Sequence, residues 1–153
     1  MKILAVQSRK GIGDNIIFLP FIKALSNKFN SPISLLVKRN SKADQYLYQT
    51  SYIDKIIFLE RDNEIKNRHD GLLGSLNLIK DIKKFNFDKI IIFNSSLRYN
   101  LIAKFSGIKS IFQYPLFRSK DNLVHSAKIF TEIVTGEIVS TEPNLNIKSI
   151  DEF

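Results

Sequence analysis

Short apolar runs alternate along the chain with stretches whose apolar residues recur every three or four positions. Lys2 to Gln7 is a brief apolar run that ends in a glycine-containing loop. From Asn15 to Phe29, the residues Ile16, Ile17, Phe18, Phe21, Ile22, Leu25 and Phe29 fall on one stripe, the spacing of a helix. Pro20 lies inside that stripe and should kink it, because proline brings no N–H to the helical ladder. Ile33 to Val37 predicts a second strand, Ser41 to Thr50 a short helix opened by Asn40-Ser41, and Lys55 to Leu59 a third strand. The charged stretch Glu60 to Asp70 has no period and reads as a loop. Gly71 to Phe85 returns to helical spacing through Leu72, Leu73, Leu76, Leu78, Ile79 and Ile82. Lys89 to Phe93 is a fourth strand, Leu97 to Phe105 a short helix ended by Gly107, Ser110 to Tyr114 a fifth strand, and His125 to Thr135 a last helix.

Strands that alternate with helices imply right-handed βαβ crossovers. Their β-branched runs show little polar alternation, which fits a parallel sheet covered on both faces. The expected fold is therefore α/β, a Rossmann-like parallel sheet with helices on both faces. Residues 1–136 read as one such domain. Residues 137–153 lose the pattern and contain Thr141-Glu142-Pro143-Asn144. They read as a linker, or as the start of a second domain that the chain does not include.

Composition narrows the chemistry. Apolar residues make up 44% of the 153, enough to build a core. There is no cysteine, which excludes disulfides and thiolate metal sites, and only His69 and His125 could bring imidazole to a metal. No apolar run approaches the ~18 residues of a membrane span, so a soluble, cytoplasmic protein is expected. The net charge is +8. Such a surface draws phosphates on a substrate, a lipid or a nucleic acid, although lysine also fills surface positions by default in a chain this rich in Lys, Ile and Asn.

Ligands of open parallel sheets bind beyond the carboxyl ends of the strands. That rule selects three loops: Ser8 to Asp14, Asn94 to Arg98, and Pro115 to Asn122. The first reads Ser8-Arg9-Lys10-Gly11-Ile12-Gly13-Asp14. Gly11 and Gly13 permit a tight turn and close approach of a ligand to the backbone. The third glycine of a dinucleotide fingerprint is absent, with Ile16 in its place, and no P-loop lysine follows. Asp14 at the mouth of the helix would repel a pyrophosphate but suits a general base. Two readings of it stay open: a helix N-cap, or a carboxylate favoured by the helix N-terminus and aimed into the crevice. In the second loop, Arg98 could grip a phosphate or carboxylate bidentately, with Ser95 and Ser96 beside it. Each of these residues also has a plain structural reading, as do Arg118 and Lys120 in a solvated basic loop and His125 beside an apolar helix face.

Gly11-Ile12-Gly13-Asp14, then Pro20 and Ala24-Leu25, resembles the opening of family 9 glycosyltransferases, the ADP-heptose:lipopolysaccharide heptosyltransferases. Tyr52-Ile53-Asp54-Lys55-Ile56-Ile57 resembles the family's approach to its third strand. Phe87 to Phe93 followed by Asn94-Ser95-Ser96-Leu97-Arg98, and Ala103 to Ile108, resemble later segments in the same order. The sequence departs where Gly11-Ile12-Gly13 replaces a serine-rich approach and where Ile92, Phe93 and Asn94 replace the family's Asp and Gln.

The resemblance implies the N-terminal half of a GT-B fold, with Asp14 as catalytic base. It also implies an acceptor site drawn from Gly13, Ser95, Ser96, Arg98, Arg118, Lys120 and His125. The nucleotide-sugar donor would bind a C-terminal domain outside the chain, without metal or other cofactor. The acceptor would be an anionic lipopolysaccharide-core glycolipid, met at the inner face of the inner membrane. A non-catalytic glycan- or lipid-binding module is the competing expectation. A nucleotide-binding Rossmann domain is disfavoured by Asp14 and the absent glycine, and nucleic-acid binding by the scatter of basic residues.

Overall fold

A computed structural model of the chain describes residues 1–9, 11–47, 50–61, 67–115 and 122–142. Five strands, β1 (Ile3–Gln7), β2 (Ile33–Lys38), β3 (Ile53–Leu59), β4 (Lys89–Ile92) and β5 (Ser110–Gln113), form one parallel sheet in the order β3-β2-β1-β4-β5. Between them run α1 (Ile12–Phe29), a 3-10 turn (Arg39–Ser41), α2 (Ala43–Tyr46), α3 (Gly71–Lys83) and α4 (Leu97–Phe105), and α5 (Leu123–Thr135) follows β5. This is the expected Rossmann-like layering.

The side-chain period of a strand divides the core. On β1, Ile3 and Ala5 face one side and Leu4 and Val6 the other. Crossovers from β1 to β2 run one way across the sheet, and those from β3 to β4 and from β4 to β5 run back. With one hand enforced, the helices land on opposite faces. Phe18, Phe21 and Leu25 of α1 and Phe130 of α5 accordingly fill the first face, and Leu78 and Ile82 of α3 with Tyr99 and Ile102 of α4 fill the second.

The first face ends in an aromatic cluster packed edge to face. Phe93, just after β4, stands 5.2 Å from Phe18 and 5.3 Å from Phe130, and Tyr114 stands 4.9 Å from Phe130. Val139 is buried against the same core, so packing continues past the glycine-capped end of α5 at Gly136. Arg118 and Lys120 lie outside the described residues.

Several element boundaries differ from expectation: the helix expected from Ser41 is a 3-10 turn (Arg39–Ser41) followed by α2 (Ala43–Tyr46), α3 ends two residues early at Lys83, and α5 starts two residues early at Leu123. α1 starts at Ile12, three residues before the apolar stripe, because Gly11 serves as its N-cap at φ 93°. That angle suits glycine and few other residues. β3 starts at Ile53 because its pairing with β2 slips between Ile33↔Ile53 and Leu35↔Ile56. The slip leaves Asp54 and Lys55 both exposed, which hides the strand's first residues from a period-2 reading.

The second face carries a tight clamp around His69. Its ring is buried (3% of the side chain exposed), and Nδ1 accepts from the Glu60 N–H at 2.9 Å. The ring hydrogen therefore sits on Nε2 and is donated to Asp81 of α3 at 2.7 Å. α3 reaches this close only because Gly74 has no side chain: a Cβ there would lie 2.1 Å from the His69 carbonyl carbon. Gly74→Ala should therefore destabilise the fold by about 1–3 kcal/mol through overpacking. In an open helix the same change stabilises by up to about 1 kcal/mol. Urea unfolding reads the sign, and a stabilised variant would refute the clamp.

Candidate functional site

β1 and β4 are adjacent, yet the chain leaves β1 into α1 on one face and β4 into α4 on the other. The two loops diverge at this switch point, the place where open parallel sheets hold their ligands. Ser8, Arg9, Gly11, Gly13 and Asp14 come from one side, and Phe93, Asn94, Ser95 and Ser96 from the other.

The second side is stitched together by amides. Asn94 Nδ2 donates to Ser8 Oγ at 2.8 Å, which ties the two loops across the switch. Its Oδ1 accepts from the Ser96 N–H at 2.7 Å. Ser96 Oγ in turn caps α4, accepting from the Arg98 N–H at 3.2 Å. Gln113 Nε2 donates to the carbonyls of Asn94 (2.9 Å) and Ser96 (2.8 Å), while its Oε1 accepts from Asn100 Nδ2 at 3.0 Å. Ser95, half-buried, makes no hydrogen bond among the described residues.

The first side is less constrained. Asp14 is the third residue of α1, not its N-cap, and α1 has no side-chain cap. The capping alternative raised by the sequence therefore gives way. The Asp14 side chain keeps 30% of its surface exposed, and Arg9 Nε lies 3.6 Å from its Oδ2. Arg9 is turned back by its own N–H, which donates to buried Gln7 Oε1. Gln7 Nε2 faces Asn15 Oδ1 at 3.5 Å, and Asn15 Nδ2 donates to the Tyr46 hydroxyl at 2.9 Å. Burial raises the Tyr46 hydroxyl above its ordinary range, and the Asn15 bond partly offsets this. Gly13 is exposed, and an added Cβ there would meet nothing within 4 Å, so packing does not demand the glycine.

Arg98 has a different job from the anion contact expected of it. Its Nη1 donates to the Gly71 carbonyl at 2.9 Å and its Nη2 to the His69 carbonyl. These bonds clasp the start of α4 to the start of α3. His125 is exposed in the first turn of α5, where its backbone N–H donates to Asn122 Oδ1 at 3.1 Å. Ser95 and Ser96 thus share the switch-point loops with Gly13 and Asp14, whereas Arg98 is committed to α3 and His125 stands at another helix start.

Sequence reasoning passed over Ser8, Asn94, Gln113 and His69. One signal for them was present: amide side chains at Asn94 and Gln113, just where β4 and β5 end. A groove of about 470 Å³ lies elsewhere, between Pro20, Lys23, Tyr52 and Glu137. Tyr52 precedes β3, so the groove belongs to the sheet's amino end, away from the switch. Among the described residues, no three His, Asp or Glu side chains cluster to hold a metal, and no helix is long and apolar enough to cross a membrane.

A doubly wound parallel sheet with loops diverging at its switch point defines a Rossmann-like domain of the kind found in GT-B glycosyltransferases. The solved structures it resembles share that fold. The glycosyl transferase family 9 protein from Veillonella parvula DSM 2008 superposes with a TM-score of 0.68 at 16% identity, covering 99% of this chain and 46% of that one. E. coli heptosyltransferase WaaC with ADP gives 0.58 at 9% identity, covering 89% and 48%. E. coli ADP-heptose lps heptosyltransferase II gives 0.54 at 16% identity, covering 74% and 30%. The chain thus matches less than half the length of each of these structures. No family model and no curated protein matches the sequence.

The clamp beneath Arg98 has a pH signature. Arg68 holds Asp81 through Nε at 3.0 Å and Nη2 at 2.9 Å. These bonds, with His69's and against burial, pull the Asp81 carboxyl from its ordinary 3.8 to about 2. A depressed carboxyl contributes stability that is fully present above pH 3.8 and lost as pH falls toward about 2. Between those limits the parent should lose on the order of 1–2 kcal/mol more than Asp81→Asn. Urea midpoints at pH 5 and near pH 2.5 measure this, and parallel losses in the two proteins would exclude it.

Proposed function

We propose that the chain is the acceptor-side half of an inverting, heptosyltransferase-like glycosyltransferase, with Asp14 as the general base. One observation carries the reading. An acid in the first turn of α1, free of any capping bond and 30% exposed, stands beside the switch point between β1 and β4 of a fold shared with a family 9 structure. A base must lie within hydrogen-bond reach of the proton it takes, and a carboxylate spent on its own helix could not do so.

In this reading a hydroxyl of the acceptor sugar reaches the switch point and donates its hydrogen bond to Asp14. Its oxygen attacks the anomeric carbon of the nucleotide-sugar as Asp14 takes the proton. The bond from that carbon to the diphosphate breaks, the electron pair leaves with the diphosphate, and the configuration inverts. The chain's own residues supply the base and one wall of the acceptor site, through Gly13, Ser95 and Ser96. The donor belongs to a second domain, where helix N-termini and basic side chains rather than a metal stabilise the leaving group. The acceptor is an anionic glycolipid of the lipopolysaccharide core, reached from the cytoplasmic side.

The test is sugar transfer from ADP-heptose by this chain joined to a donor-binding domain. Asp14→Asn keeps the shape and removes the base, and should lower kcat by about 10²–10⁴-fold with little change in KM. Undiminished turnover in that variant would eliminate the assignment.

A further inference from the structure

The groove at the sheet's amino end is walled by two elements that bring opposite charges to it. Lys23 and Asn27 come from α1, one helical turn apart and so on one face of the helix. Glu137 and Glu142 come from the segment after α5. That segment is held in place. Val139 is buried, its N–H donates to Glu132 Oε1 at 3.2 Å, and the Glu142 N–H donates to Ser140 Oγ at 3.2 Å. Lys23, Glu137 and Glu142 are all exposed, yet none of them makes an ion pair among the described residues, across the gap or elsewhere. Between the charges the lining is apolar, through buried Leu19, Pro20 and Val139.

Tyr52 lines the same groove and is only 9% exposed. Its hydroxyl makes no hydrogen bond among the described residues, and burial pushes that hydroxyl above its ordinary range. An enclosed hydroxyl costs stability unless it is paired. Phenylalanine would fill the same space without that cost, and the chain uses phenylalanine at 12 positions. The oxygen is thus surplus to packing and open to whatever enters the groove. The groove's volume of about 470 Å³ falls within the roughly 300–1,000 Å³ of small-molecule sites.

We propose that this groove binds a small zwitterion whose ammonium and carboxylate stand at opposite ends of an apolar body. The carboxylate meets Lys23 and Asn27 on the α1 wall, and the ammonium meets Glu137 and Glu142 on the other. The body lies on Leu19 and Pro20, and the Tyr52 hydroxyl supplies a hydrogen bond between the two ends. A simple anion, a phosphate included, would face two glutamates, and a simple cation would face Lys23, so neither satisfies both walls. A bound zwitterion would tie α1, whose first turn carries Asp14, to the segment after α5. The inference does not depend on transfer chemistry, since the groove lies at the other end of the sheet from the switch point.

Titration of the isotope-labelled chain, followed through its amide NMR shifts, tests this with aminocaproate, hexylamine and hexanoate as probes. Aminocaproate should shift the amides of Lys23, Tyr52 and Val139, and should saturate at a concentration about 2–5-fold below either singly charged probe. Tyr52→Phe should weaken its binding by about 2–10-fold and leave the urea midpoint of the free chain unchanged or raised. A lowered midpoint would give the hydroxyl a structural role and overturn the proposal. So would hexylamine or hexanoate binding as well as aminocaproate, or shifts scattered away from the groove. Unchanged binding in both Lys23→Gln and Glu137→Gln/Glu142→Gln overturns it too. Those positions are exposed, and circular dichroism confirms that each variant is folded.

Discussion

A parallel strand can be left only by a crossover of one hand, and β1 has a parallel neighbour on each edge. The chain must therefore depart from β1 and β4 toward opposite faces, and no side chain of the sheet itself can fill the gap between their ends. The positions of the switch point, of α1's exposed first turn and of the α3–α4 layer all follow from that constraint. What varies is how the rim of the gap is finished.

Its two sides are finished differently. The β4 side is closed by hydrogen bonds among Asn94, Ser96, Asn100 and Gln113, each with a buried or half-buried partner. Such a network is stiff, because an amide left unpaired there would cost on the order of 1–3 kcal/mol. The β1 side turns on a glycine with positive φ and ends in an acid whose ion pair spans 3.6 Å. An exposed pair at that distance is worth little, so Arg9 does not hold Asp14 strongly. A rigid wall facing a weakly held carboxylate is an arrangement in which a polar ligand can replace an internal contact at small cost.

Much of the fold was legible because its determinants are local. Leu97 to Phe105 is a helix at the bounds its spacing predicts, and β1, β2 and β4 each differ from the predicted runs by one residue at most. What sequence could not provide depends on partners far along the chain. Arg98 reads as an anion grip until His69 and Gly71, 29 and 27 residues away, are brought beneath it. His69 sits in a stretch with no period, yet becomes a buried hub because Asp81 and the Glu60 N–H meet its two ring nitrogens. Asn94 and Ser8 are 86 residues apart. That Asp14 does not cap α1 follows from the backbone at Gly11, which takes the N-cap position and which no hydrophobic pattern encodes.

The same long-range contacts explain why α3 and α4 expose leucines at all. The inner stripe of α3, through Gly74, Leu78 and Ile82, is committed to the sheet and to the His69 backbone. Rotating the helix to bury Leu72 and Leu73 would drive side chains into the space that Gly74 leaves for His69. On α4, Arg98 and the Ser96 cap fix the first turn in the same way, which keeps Leu97 and Leu101 outward. The apolar surface is thus a consequence of polar contacts that pin both helices in register. A fold selected only for its own stability would not need leucine at those positions, since lysine already occupies equivalent exposed sites one to two turns further along. Their placement at the carboxyl rim, beside the switch point, ties the outer face of the domain to the end of the sheet where its chemistry would take place.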